Sequence, residues 1–146
     1  MKKIICLLLV VMITGSILAA CNFNTNFSDS TGLSQMDAKP KVEEMLAALA
    51  AADTETAKSL MHPNAEIADG ALDQQIQFLN GRKVETLEQI SLTVNNTTGA
   101  SGTSRRENGA FRLVLDDGAQ IHLAVHYLST PGAEGFESFQ IVLSVP

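Results

Sequence analysis

Residues 111–127, FRLVLDDGAQIHLAVHY, decide the fold. Apolar residues fall on every second position on both sides of Asp116-Asp117-Gly118: Phe111, Leu113 and Leu115 before it, and Ile121, Leu123, Val125 and Tyr127 after it. Alternation of this kind marks a strand with one buried face, and an Asp-Gly between two such runs marks a hairpin. Register then chooses the loop. A two-residue turn at Asp117-Gly118 would set Leu115 opposite Gln120 and carry an apolar side chain to the polar face. A three-residue loop with Gly118 left-handed instead sets Leu113 opposite Ile121, Phe111 opposite Leu123 and Arg112 opposite His122. The three-residue loop is the expected one.

The same period extends in both directions. Ile90, Leu92 and Val94 alternate with Gln89, Ser91 and Thr93, while Phe139, Ile141, Leu143 and Val145 form a last apolar set. Four strands with one apolar face predict an antiparallel sheet covered on one side. Leu87 and Ile90 cannot share a face in regular alternation, so a bulge is expected near Glu88. Residues 95–102, rich in Asn, Thr, Ser and Gly, read as a flexible loop, with the basic pair Arg105-Arg106 decorating it.

Upstream the period lengthens to that of a helix. Pro40 suits a first turn, and Val42, Met45, Leu46 and Leu49 mark one buried stripe. Asp53 can cap a second helix that ends near His62, since Pro63 disfavours helical geometry in the residue before it. A third, from about Gly70 to Leu79, would be capped by Asp69 and ended by Asn80-Gly81 in the left-handed region. The predicted fold is α+β: N-terminal helices packed on one face of a bent four-stranded antiparallel sheet. This order, with Phe78-Leu79-Asn80-Gly81-Arg82 before the first strand, resembles the cone-shaped fold of the nuclear transport factor two and ketosteroid isomerase superfamily. A cystatin-like sheet wrapped on one helix is the nearest rival.

The chain begins with Met1-Lys2-Lys3 and an apolar run from Ile4 to Leu18, the layout of a secretory signal and too short for a spanning helix. Leu18-Ala19-Ala20-Cys21 follows and resembles the lipobox of bacterial lipoproteins. That resemblance implies cleavage after Ala20, acylation of Cys21 and a protein held on the extracytoplasmic side of the cell membrane by its lipid. Residues 1–20 are then the signal peptide, 21–36 a flexible lipidated tether, and 37–146 a single domain. The only other cysteine, Cys6, falls in the removed segment, so the domain must be held by its apolar core without a disulfide.

Loss of Lys2 and Lys3 takes the formal net charge from −6 to −8. An acidic chain without a cluster of Lys and Arg speaks against nucleic acid as a partner. Among the inner-face positions named above only Tyr127 can ionise, so the sheet offers no general base. Tyr127, His62, Glu66 and Asp69 are the candidate pocket residues, and the last three would serve an isomerase or dehydratase if there were one. His122 and His126, four apart on a strand, stand roughly 13 Å from each other and cannot share a zinc ion. No metal or cofactor is expected. The outer sheet face, with Gln89, Ser91, Thr93, Arg112, His122, His126 and Gln140, reads as a polar platform for a protein partner or a homodimer. The expected role is a non-catalytic module that binds a small apolar ligand in the cone, or an envelope protein on that platform.

Overall fold

The computed structural model describes residues 34–68 and 70–143. Three helices precede a four-stranded sheet: α1 (Lys39–Ala50), α2 (Thr54–Ser59), α3 (Ala71–Leu79), then β1 (Val84–Gly99), β2 (Gly102–Leu115), β3 (Gln120–Thr130) and β4 (Ala133–Leu143). The strands run as an antiparallel meander in the order β1-β2-β3-β4. The helices bury their apolar stripes against one face, giving the expected α+β arrangement. In α1 the fully buried residues are Val42, Met45, Leu46 and Leu49, the four whose spacing marked the helix.

The β2–β3 hairpin closes through a three-residue loop. The Leu115 amide donates to the Ala119 carbonyl at 2.9 Å, and Gly118 has φ 79°. Phe111 faces Leu123, Arg112 faces His122 and Leu113 faces Ile121, as the alternation required. Asp53 caps α2 by accepting the Thr56 amide at 3.0 Å, and Asn80 ends α3 in the left-handed region at φ 49°. The expected N-cap of α3, Asp69, lies outside the described residues. Arg82 supplies the C-terminal end of α3 with donors, its Nε to the Leu79 carbonyl and its Nη2 to the Phe78 carbonyl, while Nη1 reaches Asp117 at 3.1 Å. Those carbonyls have no partner within the helix, and the arginine ties them to the hairpin turn.

Four expectations need correction. α2 stops at Ser59, short of His62, because the chain there pairs with β4: the Phe136 amide donates to Leu60 O and the His62 amide to Phe136 O, both at 2.9 Å. β1 is irregular between Val84 and Thr86 and again between Gln89 and Ser91. The second break, two positions past Glu88, makes Ile90 the extra residue of the expected bulge, and it corrects the faces: Ile90 is 42% exposed whereas Gln89 turns inward and is buried. Residues 95–102 are not a flexible loop but strand ends joined by a tight turn at 100–101. β1 continues to Gly99 and β2 begins at Gly102, so they form a polar hairpin arm. Finally, packing begins before residue 37, since Met36 is 2% exposed and lies in the core. Residues 21–33 of the expected tether, with Cys21, lie outside the described residues.

The sheet's inner face and the helices enclose a filled core. Phe111, Phe136, Leu46, Leu49 and Leu113 are fully buried there. Tyr127, Phe136 and Phe139 stack edge to face, with ring centroids 5.1 and 5.2 Å apart. β4 is an edge strand, and Gln75 of α3 accepts its Ile141 amide at 2.8 Å, which covers one otherwise open ladder position.

Candidate functional site

Because β2 starts at Gly102, its inward positions run back from Phe111 through Gly109 and Glu107 to Arg105, and this brings a carboxylate onto the inner face. Glu107 is 2% exposed. A buried carboxylate is costly unless its oxygens are bonded. Here Oε1 accepts Arg105 Nε at 2.7 Å and Oε2 accepts the Ala38 amide at 3.1 Å. Ala38 is the residue that leads into α1, whose first amides have no partner inside the helix. Arg105 Nη2 reaches on to Asp37 at 2.9 Å, so one guanidinium bridges two carboxylates. Those bonds, first of all the one to Glu107, favour its charged form further.

These groups form one wall of a cleft of about 380 Å³ between the start of α1 and the adjoining ends of β2, β3 and β4. Lys41 stands on the helix side, and Tyr127, Ser129 and Glu134 on the sheet side. The Tyr127 hydroxyl is pushed up to about 12, chiefly by burial and next by the Glu134 carboxylate beside it. It stays neutral across the physiological range and can hydrogen-bond a ligand. Glu107 is poorly placed for proton transfer, because each of its oxygens is already held by a donor.

Of the residues chosen from sequence, Tyr127 lines this cleft, whereas His62 and Glu66 do not. His62 is 3% exposed, and its Nδ1 accepts the Asn64 amide at 3.1 Å. That bond assigns the ring proton to Nε2, which has no partner among the described residues. Glu66 is exposed on the loop before α3, and Asp69 is outside the described residues. Reading the inner face as free of any acid except Tyr127 was therefore incomplete. Arg105 and Glu107 were missed because their segment looked like loop; counting back by two from Phe111 would have placed both on the inner face.

Among the described residues nothing covers the outer face. Arg112 pairs with Glu88 at 3.1 Å, His122 lies between Arg112 and Val142, and His126 between Asn108 and Ser138. Ser91, Thr93 and Gln140 are exposed there, joined by Ile90 and Val142 as exposed apolar residues. Gln89 leaves this platform for the inner face. Arg106, expected to decorate a loop, instead makes a two-pronged bond with Glu137 at 2.7 and 2.8 Å. Among the described residues no three His, Cys, Asp or Glu side chains converge on a metal site, and no helix is long and apolar enough to cross a membrane. Set against known protein families, curated proteins and solved structures, the chain matches none of them.

Proposed function

We propose that the protein is a lipid-anchored, extracytoplasmic binding module, held at the membrane through an acylated Cys21, that takes a small ligand in the cleft beside Tyr127. The lipobox-like Leu18-Ala19-Ala20-Cys21 supports the anchor, and the cone-like α+β arrangement accords with the superfamily resemblance. The observation that carries the binding role is the cleft itself. It has a volume in the range of small-molecule sites, and a few fixed polar groups at its wall, Arg105, Glu107 and the neutral Tyr127 hydroxyl, to set a ligand's orientation. Catalysis is the weaker reading, because the buried His62 and the exposed Glu66 stand apart from the cleft and both oxygens of Glu107 are engaged.

The outer sheet face favours a second reading, a protein partner, because Ile90 and Val142 are exposed there beside Arg112, His122 and His126. A thermal-shift screen of small envelope compounds, run on the protein and on Ser129→Trp, separates the two. The indole would fill the cleft, so hits lost in the variant support the cleft, and hits that survive place the site elsewhere. A screen with no hits, together with an envelope protein crosslinked through position 126, would favour the outer face. The anchor is tested separately by palmitate labelling of wild type and Cys21→Ala; a wild type that takes up no label overturns it.

A further inference from the structure

The segment Ser34–Ala38 belongs to no helix or strand, yet it is fastened across the inner face of the sheet. The Gln89 side-chain amide holds it from two sides: Oε1 accepts the Met36 amide and Nε2 donates to the Ser34 carbonyl, each at 2.9 Å. This is the donor–acceptor pattern that a neighbouring strand would present to residues two apart, supplied by one side chain. Farther along, Ala38 bonds Glu107 and Asp37 pairs with Arg105. Between these fastenings the Met36 side chain enters a slot that exists because residue 109 is glycine. A Cβ there would stand 3.0 Å from the Met36 sulfur, 3.0 Å from Phe111 and 3.3 Å from Val125.

We propose that Ser34–Ala38 is a displaceable latch, and that the slot beneath it is a binding site for an unbranched apolar chain, the shape Met36 itself presents. Methionine is unbranched and adaptable, so it fills the slot without locking it. Besides its side-chain fastenings, releasing Ser34–Asp37 breaks no strand pairing and only the turn bond from the Lys39 amide to the Met36 carbonyl. Ala38, whose carbonyl accepts the Lys41 and Val42 amides of α1, stays in place as the hinge. The segment is therefore a candidate for local opening well below the cost of global unfolding. The latch also forms part of the cleft, since Asp37 and Ala38 line it. A ligand whose polar end sits by Tyr127 and Arg105 would reach the slot by pushing Met36 out. The inference thus rests on the cleft as the ligand site and specifies the ligand as an amphiphile with a straight apolar tail.

Methionine oxidation reads the latch directly, because Met45 on α1 is equally buried and serves as an internal control. Membranes carrying the full chain are treated with dilute peroxide, and sulfoxide is followed in the tryptic peptides ending at Lys41 and Lys58. Met36 should oxidise at least tenfold faster than Met45, and Gln89→Leu should speed Met36 further while leaving Met45 unchanged. Equal rates, or equal acceleration of both by Gln89→Leu, would mean that Met36 is exposed only by global unfolding and would overturn the latch. Added n-decanol should raise the Met36 rate alone if an apolar chain takes the slot; no change would overturn the slot as a ligand site. Neither result depends on the Ser129→Trp screen, so the latch and the cleft fail separately.

Discussion

Gly135 lies directly against the backbone of His62. A Cβ at position 135 would stand 2.5 Å from the His62 nitrogen and 2.8 Å from its Cα, and backbone atoms cannot turn aside as a side chain can. The contact exists because Leu60–His62 pairs with β4, so it joins the helical layer to the sheet's edge. Gly135→Ala should cost about 1–3 kcal/mol, in the range of overpacked sites. Gly99→Ala, where nothing lies within 4 Å, should change stability by less than about 0.5 kcal/mol. Equal thermal melts for the two variants would contradict this packing.

Arg112 and Leu113 are consecutive on β2 and face opposite ways, one exposed and one fully buried. Leu113→Asp should unfold the domain, because an unpaired carboxylate in the core costs several kcal/mol, comparable with the whole stability of a domain this size. Arg112→Asp removes the exposed pair with Glu88 and should cost less than about 1 kcal/mol. Denaturant titration of both variants is the check, and similar midpoints would mean the faces are reversed.

Glu137 titrates below its ordinary range, first because of its hydrogen bonds from Arg106 and then because of that guanidinium's charge. A depressed carboxyl contributes stability that is present above its unfolded pKa and is lost as pH falls through the lower, folded value. Arg106→Gln should therefore be less stable than wild type at pH 7, by up to about 1 kcal/mol for so exposed a pair. The gap should close as the pH is lowered below the ordinary carboxylate range. A gap that stays constant into acid would show that Arg106 acts through packing and not through the Glu137 charge.

Tyr127 is the single tyrosine, so its ionisation can be followed without ambiguity by ultraviolet absorbance. Its hydroxyl is raised from 10.0 to about 12, chiefly by burial. The neutral form is favoured in the folded state, so stability should be level up to about pH 10 and fall above it, where the unfolded chain alone ionises. Tyr127→Phe should lose that alkaline fall. A folded-state midpoint at the ordinary tyrosine value of about 10 would show the ring to be open to water.

The hairpin centred on Asp116-Asp117-Gly118 was readable from sequence because a period of two on both sides leaves one loop length consistent with the faces. α1 was readable for a similar reason, since four apolar residues share one stripe. Ile90 and Gln89 were misplaced because an extra residue in a strand reverses every later side chain, and the ladder that reveals it depends on a partner far along the chain. Arg105 and Glu107 were hidden for another reason. Their inward positions serve the Asp37 carboxylate and the Ala38 amide and not the apolar core, so apolar periodicity carries no trace of them.

The meander order of the sheet has a kinetic consequence. Each strand pairs only with its neighbour in sequence, so β1–β2, β2–β3 and β3–β4 can all close by short hairpin loops, the kind of contact that forms quickly. The latch is the opposite case. Its bonds to Gln89 and Glu107 join residues 53 and 69 apart, so in a chain made from the N-terminus they must wait for most of the domain to arrive. Until then the Val42, Met45, Leu46 and Leu49 stripe of α1 has no sheet to cover it and is the surface most open to misassociation. Stopped-flow refolding should accordingly show the sheet forming first and Met36 burial as the last event.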